Sequence, residues 1–320
     1  MMKKRTNMLI VLAVPVVIFL LLTVCIDNYG FHSLRIVLSQ AIIPTILGYA
    51  MCFTNAVGMF DLSCASAMIF AAMIGGALGN TLGIPGLIIG CLVVGVVLGV
   101  INGTVYKLLR IPCLIVSLGL LLIYEILAQK IGLGVSMTIP AAVGIIGKFP
   151  YSLIIFGASA ALFYYIYNKT RIACHIRAVG SEELLSNALG VNAMNTKYMT
   201  FVLAGIFIGT AAILQISYAN SITTVSSQRS ISMIFQPLIG VLIAFAIQEW
   251  CNLTLGVFIS QFTLSMMFNA LIALGVPSKM QDVVLGLMLI IVMGIALNNT
   301  RIKGYFDRKA RRKELMKEPN

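Results

Sequence analysis

The sequence predicts an all-α, polytopic membrane protein of about ten transmembrane helices with both termini cytoplasmic, and three observations carry that expectation. First, 60% of the 320 residues are hydrophobic and only 10% charged, with a mean hydropathy of +1.01, far from an ordinary soluble surface. Second, long apolar runs recur along the chain. In lipid each backbone polar group must be paired internally, so such runs form helices rather than open strands. Third, Lys and Arg alternate between loops. Only five of the 22, namely Arg35, Lys130, Lys148, Arg229 and Lys279, fall in loops assigned to the outside, and the other 17 fall inside.

In chain order, MMKKRTN precedes an apolar run from Met8 to Cys25. The run is long for a signal peptide and lacks a small-x-small cleavage site, so an uncleaved first helix is expected. Further spans are expected at Ile36 to Phe53, Cys64 to Gly79, Gly83 to Tyr106, Cys113 to Ala128 and Tyr151 to Asn168. The rest are expected at Met199 to Ala219, Met233 to Ile247, Leu253 to Leu274 and Asp282 to Leu297. Between the fifth and sixth, Gln129 to Pro150 carries Gly132, Gly134, Pro140 and Gly144, which suggests irregular or re-entrant backbone at the outer face. Residues 298–320 form a basic tail without a core of its own, so residues 1–320 read as one transmembrane domain.

The long polar interruption before that tail is residues 168–198, with Lys169, Arg171, Arg177 and Lys197. That charge places it in the cytoplasm. Within it, Ser181 to Leu189 reads as a short helix, with Ser181 as cap, Glu182 and Glu183 in the first turn and Gly190 as terminator. A capped helix too polar to span is either a docking element or an ordinary loop turn.

The net charge of +12 is a topology signal rather than a nucleic-acid footprint, because a nucleic-acid face would need a soluble domain to present it. The seven cysteines form no C-x-x-C pair, and His32 and His175 lack neighbouring ligands, so no metal site is expected. No phosphate-binding loop, H-E-x-x-H or G-x-S-x-G occurs, so no cofactor and no enzymatic activity are expected, and ATP hydrolysis has no home in this chain.

Carboxylates at membrane depth are costly and therefore candidates for function: Asp61, Glu125 and Asp282. Asp61 either caps the helix that follows or acts on a proton or solute. Glu125 either lies within the bilayer or faces water near an outer end, and Asp282 either lies at depth or starts a helix at the interface. Ser63 beside Asp61, and the amides Asn102, Gln236 and Gln261, either bond between helices or line a path. Gly75, Gly76, Gly86, Gly90, Gly95, Gly99 and Gly103 include spacings of four, which permit close helix contact.

Three stretches, taken together, resemble the integral-membrane permeases of ribose-type ABC importers, a family that includes permeases for other monosaccharides and autoinducer-2. FDLSCAS at Phe60 to Ser66 is similar to the family's hydrophobic-D-L-S-x-G-S element. GVINGTVYKLLRIPCLIVSLG at Gly99 to Gly119 is similar to its G-x-x-N-G stretch with a basic-I-P segment and T-L-G. GSEELLSNALGV at Gly180 to Val191 keeps the spacing of its G-S-N-x-x-A-A-x-x-x-G-I element.

The resemblance implies a multi-pass protein of the bacterial cell membrane that moves a small hydrophilic solute, a sugar or sugar-like molecule. ATP would be hydrolysed by a separate subunit. It implies that Ser181, Glu182, Glu183, Leu184, Leu185 and Gly190 form the coupling helix seated on that ATP-binding subunit. It also implies a second permease copy or paralogue and an extracytoplasmic solute-binding protein. Departures from the pattern are Glu182 for the family's Asn and Leu185 and Ser186 for its paired small residues. GVLIAFAIQEWCNLTLG at Gly240 to Gly256 stands where a glycine-rich run is usual, with Glu249 and Trp250 as an inner-interface anchor in its place. Those departures suggest the divergent half of a heterodimeric pair. The rival classes are an ion-coupled secondary transporter using Asp61 or Glu125, and a membrane scaffold without transport.

Overall fold

The computed structural model describes residues 13, 15–20, 22–23, 30–131, 136–224, 230–248, 250–277, 280–281, 283–292 and 294. Its helices are α1 (Phe31–Asn55), α2 (Cys64–Leu109), α3 (Cys113–Ile131), α4 (Tyr151–Lys169), α5 (Arg171–Ser181), α6 (Glu183–Ala188), α7 (Ala193–Ala219), α8 (Ser230–Ala246) and α9 (Leu253–Ala273). A further apolar helix, α10, covers Val283–Val292. Among the described residues α1, α2, α3, α7 and α9 are long and apolar enough to cross a membrane, and α8 and α10 are shorter apolar helices. Asp282, Glu249, Gly132, Gly134 and the basic tail lie outside the described residues. Residues 15–20 are helical, and Ile18, Phe19 and Leu22 pack against Val37, Met266 and Ala270.

The two spans expected from Cys64 to Tyr106 form α2, which folds back on itself. Gly83 adopts φ 69, ψ −150, a region closed to side-chain-bearing residues, and Pro85 follows it. A β-carbon on Gly75 would run into Cys91, and one on Gly79 would lie 3.2 Å from Leu87, so the two arms lie antiparallel. The expected spacing of glycines then acts a second time. A β-carbon on Gly95 would sit 2.6 Å from the Gly205 carbonyl oxygen, and one on Gly99 would sit 3.0 Å from the Gly205 Cα, which brings the second arm of α2 backbone-to-backbone with α7.

The helix ends gather at two faces. At the hairpin end, Asn80 donates to the Thr138 carbonyl at 3.0 Å, and the Arg35 guanidinium lies 4.6 Å from the Phe149 ring centroid. The stretch expected to be irregular forms strand β1 (Ser136–Thr138), paired antiparallel with β2 (Ser221–Thr223), followed by a 3-10 turn at Gly144–Gly147. This ribbon is the one departure from an all-α fold among the described residues. At the opposite, polar end, Lys107 donates to Asn195 at 2.8 Å, and Gly180 packs against Ala56. Between the faces, Tyr49 of α1 stacks on Phe163 of α4 at 4.5 Å and meets Phe207 of α7 edge-on at 6.2 Å. Its hydroxyl donates to the Thr254 carbonyl of α9 at 3.1 Å. Such aromatic contacts add to burial and fix the register of three helices.

Candidate functional site

The polar stretch is more helical than its charge suggested. Thr170 caps α5 by accepting from Ala173 N, and Ala173, Ile176 and Val179 turn one face inward while the charged residues face out. Ser181 is the last residue of α5 and not the cap of the next helix, since its hydroxyl donates back to the Ala178 carbonyl at 2.9 Å. The cap position of α6 belongs instead to Glu182, without a side-chain capping bond, and only Glu183 lies in the first turn. Serine loses that role because α5 runs on to residue 181 and leaves one extended residue, Glu182 with φ −156, between the helices. Gly190 follows with φ 87 and turns the chain.

The short α6 is tied down on one side and bare on the other. Lys197 at the base of α7 reaches Glu183 at 2.8 Å, and Asn187 accepts from Ala193 N at 3.0 Å. Leu184, Leu185 and Leu189 are 81%, 58% and 76% exposed. Beside them lies a cavity of about 510 Å³, lined among others by Arg110, Glu183, Asn187 and Val191. Leu184 and Leu185 on the braced six-residue helix, with Leu189 just past its end, make an exposed apolar knob.

Three candidates separated in sequence meet in one buried chain of hydrogen bonds. Tyr124 OH donates to Asn102 Oδ1 at 2.6 Å, Asn102 Nδ2 to Ser63 Oγ at 2.7 Å, and Ser63 Oγ to Asp61 Oδ1 at 2.6 Å. Ser63 N also donates to Asp61 Oδ1 at 2.8 Å. All four residues are buried. Asp61 therefore does not cap α2 directly: Ser63 occupies the cap position, and Asp61 fixes Ser63. Burial pushes the Asp61 carboxyl above its ordinary value, against the pull of the Ser63 hydrogen bonds. Tyr124 gave no sequence signal.

Glu125 does not face water. It is buried in α3 and accepts from Ser230 N at 3.0 Å and from the Ser230 hydroxyl, so it receives the start of α8 from a neighbouring helix. Gln261 of α9 donates to the Pro237 carbonyl at 2.9 Å and occupies the space left by Gly240. Gln236 donates to Ser265 at 3.1 Å and also lines a chamber.

That chamber, an open cavity of about 310 Å³, is lined by Ser39, Gln40, Ile43, Pro44 and Leu47 of α1, Met68 of α2, Gln215 and Tyr218 of α7, and Met233, Gln236 and Pro237 of α8. A second cavity of about 260 Å³ at the hairpin end is lined by Arg35, Ile36, Gly147, Lys148 and Phe149, and shares Ser39 and Tyr218 with it. The two cavities therefore adjoin at Ser39 and Tyr218. Of these polar residues only Gln236 was a candidate from the sequence.

The family described as branched-chain amino acid transport system permease component matches residues 33–293. No curated protein and no solved structure matches. The matched residues run from the start of α1 through α10 and take in the Asp61 network, the braced knob and the chamber. The chain belongs to the family of branched-chain amino acid transport system permease components.

Proposed function

We propose that the chain is the membrane-spanning permease subunit of an ATP-binding-cassette importer for a small hydrophilic solute, a sugar or sugar-like molecule. It performs no chemistry of its own. It spans the cell membrane of a bacterium with about ten helices and both termini cytoplasmic, which puts the polar end inside and the hairpin end outside. A separate ATP-binding subunit takes the knob of α5 and α6. A second permease copy or paralogue completes the pathway, and an extracytoplasmic binding protein delivers solute.

The observation that carries this reading is the exposure of Leu184 and Leu185 on a helix braced by Lys197, and of Leu189 at its end. Load applied there passes through α5 to the α1–α2 loop, where Gly180 meets Ala56, and so to Asp61, Ser63 and Asn102. The ion-coupled alternative has less support at Glu125, whose carboxylate joins α3 to the start of α8, whereas among the described residues Asp61 holds only Ser63, two residues on, through Oδ1. The test is co-purification with the ATP-binding subunit, followed by uptake in vesicles. Uptake that stops with vanadate and survives dissipation of ion gradients supports the reading. Uptake that follows the ion gradient while ATP is maintained rejects it.

A further inference from the structure

One face of α9 carries a line of polar side chains through an otherwise apolar helix. Gln261, Ser265 and Asn269 stand four residues apart, so they follow one another turn by turn on that face. Each is bonded to a neighbouring helix. Gln261 Nε2 donates to the Pro237 carbonyl of α8 at 2.9 Å and to the Gln236 carbonyl at 3.4 Å, and Gln236 Nε2 donates back to Ser265 Oγ at 3.1 Å. Asn269 Nδ2 donates to Gln40 Oε1 of α1 at 3.4 Å.

The residues held in this way belong to the prolines inside α1 and α8. Pro237 has no N–H for the Met233 carbonyl one turn back, and Pro44 has none for the Gln40 carbonyl, so the hydrogen-bond ladder of each helix lacks a rung there. A helix bends where a rung is missing, and a polar side chain from a neighbour steadies the opened backbone in an apolar setting. From one face α9 supplies such a side chain to both helices.

Gln261 is suited to gripping rather than to filling space. It is fully buried, and its amide sits over glycine on both sides: a β-carbon on Gly240 of α8 would collide with it, and one on Gly48 of α1 would lie 3.6 Å from Nε2. Two backbone carbonyls can face only the NH2 side of an amide, which fixes its orientation. Its Oε1 is buried without a hydrogen-bond partner among the described residues. An apolar side chain of that length would fill the same space without stranding an oxygen. What the amide adds is its hold on α8.

We propose that Gln261, Ser265 and Asn269 form a latch by which α9 sets the bends of α8 at Pro237 and of α1 at Pro44, with Gln261 the positioning residue for α8 and Asn269 for α1. Both prolines line the chamber, so the latch also sets the chamber's shape. Its use in transport rests on the permease reading, whereas the latch is tested on the chain alone, so the two fail separately.

The test is backbone hydrogen–deuterium exchange of the full chain in lipid nanodiscs, followed peptide by peptide. Gln261→Met keeps the length and removes the donor, and Asn269→Leu does the same at the second contact. Thr263→Val is the control, because Thr263 bonds within its own helix, to the Ile259 carbonyl at 2.8 Å. Gln261→Met should speed exchange about tenfold in α8 peptides spanning Pro237, the effect of one hydrogen bond lost on a local opening, and leave α1, α2 and α7 unchanged. Asn269→Leu should do so in α1 peptides spanning Pro44, by a smaller factor because its bond is longer, and the control should match the wild type. Should the Met variant fail to fold, Gln261→Asn withdraws the same amide by one methylene and should give the same pattern at lower amplitude. Unchanged exchange at either proline, a rise spread equally over α2 and α7, or an effect of Thr263→Val equal to that of Gln261→Met overturns the latch.

Discussion

Gly180 of α5 lies so close beneath the Ala56 carbonyl oxygen that a β-carbon on it would overlap that oxygen. The contact joins the candidate docking knob to the loop that carries Asp61. Gly180→Ala should push the two apart and destabilise the fold by about 1–3 kcal/mol, the usual range for overpacking. A lowered thermal midpoint in detergent with weakened ATPase coupling is expected. A variant with wild-type midpoint and wild-type coupling would show that the contact transmits nothing.

The knob itself is testable by loosening it. Replacing Glu182, Glu183 and Leu184 by Gly removes the exposed Leu184 anchor and the Lys197 brace and raises backbone freedom. The chain should still insert, while solute uptake falls and ATP hydrolysis no longer tracks it in vesicles. Glu183→Gln alone should change stability by less than about 1 kcal/mol, because the pair is half exposed on the Glu side.

Asn102 uses its donor on Ser63 and its acceptor on Tyr124. Asn102→Ala leaves both neighbours buried without that partner and should destabilise by roughly 1–3 kcal/mol for each group left unpaired. Tyr124→Phe removes one donor and should fall near the lower end of that range. Equal thermal midpoints for Asn102→Ala and the wild type would contradict the network.

Burial holds the Asp61 carboxyl above its ordinary value, so over part of the acid range the folded chain keeps a proton that the unfolded chain has released. Wild-type stability should therefore fall as pH rises from the ordinary carboxyl value of 3.8 through the raised one, and level off above it. Asp61→Asn removes that slope. The variant's thermal midpoint should gain on the wild type as pH rises through that window. A difference that stays constant with pH would mean that the carboxyl is not displaced.

At the seam between α2 and α7, Gly99→Leu should be far more damaging than Gly119→Leu, because a β-carbon on Gly99 would lie 2.5 Å from the Phe201 carbonyl oxygen and one on Gly119 would meet nothing. Comparable yields of folded protein from the two variants would argue against backbone contact there.

The five helices long and apolar enough to cross a membrane were legible because an apolar run between polar breaks has one stable form in lipid, and the glycine spacing announced the seam. The α5 helix was missed because Arg171, His175 and Arg177 made its stretch look like a loop. The signal was there in Ala173, Ile176 and Val179, three residues apart. Asp61, Ser63 and Asn102 could be picked out individually, but not joined, since pairing across 39 residues depends on how far α2 folds back. The chamber was illegible for a related reason: Gln40 and Gln215 look like isolated polar residues until α1 and α7 are placed side by side. Pro44 and Pro237 inside apolar runs were its available clue.

The single-residue reversal at Gly83 has a mechanical consequence. With both arms of α2 pinned to each other and the second arm locked against α7, those three lengths of helix have no room to slide independently. They should move as one block in a transport cycle, like the jamb of a doorway, and any hinge is expected instead along the side where α1 and α8, each with an internal proline, border the chamber.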